Sequence, residues 1–372
     1  MRIFQISNTF YPVIGGIETY IDSLSKRLVF ESHNIYVITR KFRNKIDDGK
    51  FNYQVIRLNR HKTLESLDKY IRSIKLSIIY SYIPIKKIVL ELQPDVLNFH
   101  SRRFFFHSRL FKRPSVLTIH TTYFWHLKKI PIRKLFLDSF DVILCFTKYL
   151  KKIIDKISPS KAIFLPYGID TNKFSPNINE NMIRNKYEIK KNEKLILCVG
   201  RLVPYKGFDT VIKAMQFILK KNKNFKLMIV GDGPQLFKLK QLSRKYNLKN
   251  NVIFTNKVDY SLLQFYYAAC DIFIHVPYKF EAFGRVLIEA MASKKPVIST
   301  YCGGPEEIID HNKNGLLLKS NNPQKISETI LNLYHDEAFS KMLSINALKK
   351  VKSVYSWEII IKKYLKILNS LT

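Results

Sequence analysis

Short runs of β-branched and aromatic residues alternate with longer stretches of helical apolar spacing along the whole chain. That alternation predicts parallel strands joined by helical crossovers. In the first half the runs predict strands near Arg2–Ser7, Ile35–Thr39, Val96–His100, Ser115–His120, Val142–Phe146 and Ala162–Leu165, with helices between them such as Ile17–Val29. A polar stretch with Pro176 and several asparagines, Thr171–Asn181, reads as a linker. After it the pattern starts again, with strands near Leu195–Gly200, Lys226–Val230, Val252–Phe254, Ile272–Val276 and Pro296–Ser299. The helices expected between these are Phe208–Lys220, Pro234–Tyr246, Ser261–Ala269 and Gly284–Ser293, and Trp357–Leu371 is a lysine-bearing amphipathic helix.

The fold class is therefore α/β, with two doubly wound, Rossmann-like domains. The expected domains are 1–172 and 173–353, with a C-terminal helix at 354–372 packing back on the first. At 372 residues the chain is too long for one ordinary hydrophobic core, which agrees with two. Open parallel sheets bind ligands at the carboxyl ends of their strands, so the expected site is a cleft where the two sheets face each other.

Charge changes this picture less than its size suggests. Lys and Arg number 63 against 29 Asp and Glu, a net +34. Residues 1–175 carry 31 basic and 13 acidic side chains and the remainder 32 and 16, so the excess is spread evenly and reads first as compositional bias. One segment stands apart. Ser101–Leu137 has no carboxylate, nine Lys or Arg, and Phe104, Phe105, Phe106, Phe111, Phe124 and Trp125 among them. Basic residues beside large apolar ones suit an anionic membrane surface.

No uninterrupted apolar run is long enough to span a bilayer, and Leu76–Leu92 is broken by Pro84, Lys86 and Lys87. MRIFQIS lacks the apolar core and cleavage site of a signal peptide. The expected location is cytoplasmic, at most peripheral on the cytoplasmic face of a membrane. Cys145 and Cys198 read as buried strand residues, and the four cysteines have no metal-ligand spacing.

The candidate chemistry lies in five short segments. Glu281 and Glu289 flank a strand-to-helix junction at Phe283–Gly284, where helix N–H groups without backbone partners favour an anion. Glu289 lies on the helix, where it can accept from vicinal hydroxyls such as those of ribose. Arg201 and Lys206 bracket a turn after a strand and can converge on one diphosphate, Arg by forked hydrogen bonds and Lys as a point charge. Gly231 begins a glycine turn that ends with Pro234 at the first position of a helix. Gly15–Gly16 precedes a helix and lets a ligand near its N-terminus, but not in the spacing of a dinucleotide fingerprint. His120 ends a strand and can reach a sugar hydroxyl. There is no Asp-x-Asp to hold a divalent cation, so neither a metal nor another cofactor is expected.

In this order, YPVIGGIETY, PDVLNFHS, VLTIHTTY, LPYGIDTNKFSP, GRLVPYKGFD, VGDGP, PYKFEAFGRVLIEAMA and CGGPEEII resemble the retaining glycosyltransferases of family 4, which have the GT-B fold. The resemblance covers most of the chain. It implies that Arg201 and Lys206 hold the donor diphosphate with the backbone of Phe283 and Gly284, and that Gly231 borders the donor. It implies that Glu289 binds the ribose and that Glu281 lies against the donor sugar, with His120 contacting it from the other domain. Gly16 falls where phosphate or acceptor approaches. It implies further that the leaving diphosphate helps deprotonate the acceptor, so that no dedicated base is required. Thr121, Tyr167 and Ser32 depart from the frequent Asp, Asn and Gly, which weakens inference about the sugar.

The expected reaction moves a hexosyl unit, with retention, from a UDP- or GDP-sugar to a glycan or lipid-linked acceptor. An epimerase or glycan phosphorylase on the same fold is the alternative. A nucleic-acid-binding protein driven by the charge is more distant, because no nucleic-acid-binding motif is present, and no nucleic-acid partner is expected.

Overall fold

The computed structural model describes residues 1–13, 15–41, 47–58, 74–101, 111–120 and 133–372, with the backbone alone for 74–82 and 133. They form two compact units, Met1–Tyr167 with Ile360–Thr372, and Gly168–Ile359.

Among the described residues, the first unit holds strands β1 (Arg2–Ile6), β2 (Asn34–Arg40), β3 (Gln54–Leu58), β4 (Val96–Phe99), β5 (Ser115–Ile119), β6 (Val142–Cys145) and β7 (Ala162–Phe164). All pair in parallel, in the order β3-β2-β1-β4-β5-β6-β7. Its helices include α1 (Gly16–Phe30) and α2 (Ile74–Leu92). The central strands are mostly apolar because both sheet faces are covered, with Gln5 and Asn98 as buried polar exceptions. Ile3, Phe4, Ile6, Val96, Leu97 and Phe99 are all fully buried. Strand order reverses between β1 and β4, so the crevice at their carboxyl ends is this unit's switch point.

The edge strand β3 was absent from the sequence expectation. None of its residues is fully buried, and Arg57 projects from it into a forked pair with Asp48 at 2.7 Å on both branches. Ile56 and Leu58 are only half-buried against the core, and Val55 beside them blurs the alternation.

The second unit holds β8 (Lys194–Val199), β9 (Phe225–Val230), β10 (Val252–Asn256), β11 (Ile272–His275), β12 (Val297–Thr300) and β13 (Leu316–Leu318). Again all are parallel, in the order β10-β9-β8-β11-β12-β13. The switch point lies between β8 and β11. Helices α3 (Phe208–Lys221) and α4 (Arg285–Ala292) follow the loops that leave these two strands. β13, also unexpected, is a three-residue run and too short to distinguish by periodicity.

Two expected boundaries move. Thr171–Asn181 is not a free linker: Phe174 is fully buried, with its ring against Tyr260 and Tyr267. The chain commits to the second unit at Gly168, because Ile169 N–H donates to Tyr355 O at 2.7 Å and Trp357 N–H donates to Ile169 O at 3.1 Å. A Cβ on Gly168 would lie 2.4 Å from the Trp357 ring. Pro234 is not the first residue of a helix either. The helix begins at Leu236, and Pro234 sits in the turn before it. The last helix, Trp357–Asn369, begins in the second unit, and its residues from Ile360 onward belong to the first.

Of the basic aromatic segment Ser101–Leu137, residues 102–110 and 121–132 lie outside the described residues, and Thr121 with them. Among the described residues no helix is long and apolar enough to cross a membrane. Cys145 and Cys198 are buried in β6 and β8.

Candidate active site

The loop leaving β8 turns through Pro204–Lys206 and ends at Gly207, whose φ of 77° is left-handed. A Cβ there would sit 2.0 Å from Val276 O, so only glycine lets this turn press against the end of β11. The two loops are joined by a bond from Tyr278 N–H to Tyr205 O, 3.0 Å. Lys206 is thereby delivered to Glu281.

Glu281 is held at both levels. Its N–H donates to Cys302 O at 2.7 Å, and its carbonyl accepts from Gly304 N–H at 2.8 Å. The CGGPEE turn therefore clamps the main chain of the glutamate loop. Its carboxylate Oε2 forms an ion pair with Lys206 Nζ and lies 3.3 Å from His275 Nε2. Burial pushes the Glu281 carboxyl up, but the His275 hydrogen bond and the Lys206 charge outweigh it and hold the group at about 2. Burial lowers His275, so its ring is neutral and Nε2–H is the donor to the carboxylate.

Arg201 is exposed, and its side chain makes no hydrogen bond or ion pair among the described residues. Gly231 takes its place for packing: a Cβ on it would lie 1.9 Å from Gly200 O, so it allows two strand-end turns to touch.

Helix α4 is preceded by Gly284, whose amide makes no hydrogen bond among the described residues. Phe283 is buried, with its ring 6.0 Å from that of Tyr355. Glu289, on α4, is only 1% exposed. Its Oε2 accepts from Tyr267 Oη at 2.7 Å. Its Oε1 has Arg285 Nε at 3.0 Å, an i,i+4 ion pair. The hydrogen-bond geometry is not met, and Oε1 is a buried acceptor without a hydrogen bond. Tyr260 lies beside it with Arg285 Cζ 4.9 Å and Lys173 Nζ 3.8 Å from its ring centroid. A carboxylate is tolerable at this burial because Arg285, Tyr260 and Tyr267 surround it.

In the first unit, His120 directly follows β5, with both ring nitrogens engaged. Nδ1 is 2.8 Å from Tyr167 Oη, and Nε2 is 2.9 Å from His100 Nδ1. His100 Nε2 in turn lies 2.7 Å from Gln5 Oε1. Burial lowers both histidines, His100 to about 3. With neutral rings the chain has one consistent direction: Tyr167 O–H to His120, His120 Nε2–H to His100, and His100 Nε2–H to Gln5. Asn98 Nδ2 donates to Gln5 Oε1 at 3.0 Å and to Tyr364 Oη at 2.9 Å, which ties the C-terminal helix to this strand-end cluster. His120 therefore has no spare ring nitrogen for a sugar hydroxyl, contrary to the simplest expectation for it. Gly16 opens α1, and a Cβ there would meet nothing within 4 Å.

The residues singled out in the second half thus converge as Lys206 with Glu281. The sequence reading missed His275, Arg285, Tyr260 and Tyr267. His275 had a signal, since it is the polar last residue of an apolar strand, much as His120 directly follows one. Arg285 stands four residues before Glu289 on one helix face. The two tyrosines are brought in by the fold alone.

Comparison with known families now decides the class. The family described as Glycosyltransferase Family 4 matches residues 14–173, and the one described as Glycosyl transferases group 1 matches 179–350. The chain belongs to glycosyltransferase family 4. It is 28% identical to an uncharacterised glycosyltransferase of Methanocaldococcus jannaschii over 100% of this chain and 99% of that one. It is 24% identical to a GDP-mannose-dependent α-(1-6)-phosphatidylinositol monomannoside mannosyltransferase of Mycobacterium tuberculosis, covering 97% and 96%. Among solved structures, Anabaena HepE in complex with UDP and glucose aligns with a TM-score of 0.81 at 20% identity, covering 100% of both chains. This family 4 glycosyltransferase accordingly has the GT-B fold.

Proposed function

We propose that the protein transfers a hexosyl unit from a UDP- or GDP-sugar to a glycan or lipid-linked acceptor, with retention of configuration. The observation that carries this reading is the group of residues at the β8/β11 switch point: Lys206 against Glu281 and His275, with the α4 N-terminus and the buried Glu289 close in sequence. Arg201 and Lys206 take the diphosphate, with the Phe283 and Gly284 backbone at the helix start. Glu289 Oε1 accepts from the ribose, and Glu281 meets the transferred sugar. The two nucleotides follow the relatives, one named as GDP-mannose-dependent and another solved with UDP. The lipid-linked acceptor follows the mannosyltransferase that acts on a phosphatidylinositol mannoside.

The neutral, fully bonded His120 has no proton-transfer task in this reading. The leaving diphosphate is the group that assists the acceptor hydroxyl, and no metal is required. The test is transfer from radiolabelled UDP- and GDP-hexoses to glycan and lipid-linked acceptors, with the product's anomeric configuration read by NMR. Retention is expected, and Lys206→Ala and Glu289→Ala each lower turnover by about a hundredfold or more. An inverted product, or near-full turnover in both variants, would contradict the reading.

A further inference from the structure

We propose that the Lys206–Glu281 ion pair is a charge lock on the donor site, opened by the nucleotide's diphosphate while His275 keeps Glu281 in position. The proposal rests on the donor-site reading above.

Lys206 and His275 address the same carboxylate oxygen, Oε2. The lysine and glutamate side chains are 17% and 16% exposed, so the pair is shielded but reachable. A diphosphate entering beside exposed Arg201 carries more charge than one carboxylate and competes for Nζ. Lysine suits such an exchange, being a compact charge on a flexible stem.

The other partner stays where it is. His275 lies in β11, 4% exposed at its side chain, and its carbonyl accepts from Ser299 Oγ at 2.6 Å. The Glu281 main chain is clamped on both sides by Cys302 and Gly304. When Lys206 turns to phosphate, the carboxylate keeps its place and gains a free acceptor position for a sugar hydroxyl. His275 is thus a positioning residue, acting through Glu281.

The lock predicts an unusual sign, because removing a charged group from the site should tighten nucleotide binding. The experiment measures equilibrium binding of UDP and GDP, without sugar, to the full-length wild type, Glu281→Gln, Lys206→Ala, His275→Phe and His275→Gln. Glu281→Gln should bind the preferred nucleotide about tenfold more tightly than the wild type. Lys206→Ala should bind it more weakly, and both His275 variants should bind like the wild type. In transfer assays His275→Phe should lower kcat about tenfold with the donor KM little changed. His275→Gln, whose amide nitrogen can take the place of Nε2, should recover most of that kcat.

Equal or weaker binding by Glu281→Gln, together with a loss in Lys206→Ala, would leave the donor site standing and overturn the lock. An unchanged kcat in His275→Phe would overturn the positioning role. Binding to none of the proteins would overturn the donor-site reading itself, and the lock with it.

Discussion

His100 and His275 are buried imidazoles and His120 is a half-buried one, and the hydrogen bonds of each suit its neutral form. Each is shifted below the ordinary 6.5, His100 to about 3. A group with a lowered folded value binds fewer protons in the folded than in the unfolded state. Its contribution is complete above pH 6.5 and is lost as pH falls toward the folded value. Each such imidazole costs roughly 1.4 kcal/mol per pH unit inside that window. The urea midpoint should therefore drop clearly between pH 7.5 and pH 5, well before Glu281 begins to titrate. Glu281 moves in its own window, from the ordinary 4.5 down to about 2, and its ion pair is lost only across that range. A midpoint unchanged at pH 5 would mean that the histidines are not buried as described. Tyr267 permits a second test at this scale. It donates to Glu289 Oε2 at 2.7 Å, so Tyr267→Phe should cost roughly 1.5–3 kcal/mol in urea denaturation. A loss below about 0.5 kcal/mol would show that Glu289 does not depend on it.

At the scale of elements, the two units are built from strand-end turns, and their glycines divide into two kinds. Gly231 has backbone 1.9 Å from where a Cβ would be, whereas Gly16 has open space. Gly231→Ala should destabilise by about 2 kcal/mol or more. Gly16→Ala should leave the melting temperature nearly unchanged yet reduce kcat/KM, because the alanine methyl would stand where a ligand has to come. A fall in stability for Gly16→Ala, or none for Gly231→Ala, would reverse these assignments.

The same contrast explains what could be read from the sequence. Strands buried on both faces, such as Arg2–Ile6 and Lys194–Val199, are mostly apolar runs and were visible. Gln54–Leu58 at the sheet edge was not, because Ile56 and Leu58 are only half-buried against the core and Val55 beside them blurs the alternation. The glutamate loop and the Arg201–Lys206 turn stood out as separate motifs. Their meeting depends on a left-handed Gly207 and a backbone bond from Tyr278 to Tyr205, and no local pattern encodes either. The linker expected at Thr171–Asn181 failed through Phe174, a single buried ring in a polar stretch. His120 was rightly placed at a strand end, but His100, Gln5 and Tyr167 approach it from other segments, so its saturation could not be anticipated.

For the whole molecule, the net charge of +34 is spread along the chain, and the carboxylate-free Ser101–Leu137 sets nine Lys or Arg among large apolar side chains. If that segment rests on an anionic membrane surface, the protein should float with vesicles containing phosphatidylserine and be released by salt. Equal flotation with neutral vesicles would remove the electrostatic part.

The central claim is that a nucleotide sugar binds in the second unit with Glu289 on its ribose. The most direct measurement is a thermal-shift titration with UDP, GDP, ADP and their sugar conjugates, in the wild type and Glu289→Ala. A ligand at ~100-fold its Kd should stabilise the fold by roughly 2.7 kcal/mol. The account predicts a rise with UDP or GDP and its sugar conjugate, not with ADP, and loss of that rise in Glu289→Ala. No shift with any nucleotide, or an equal shift in the variant, would contradict it.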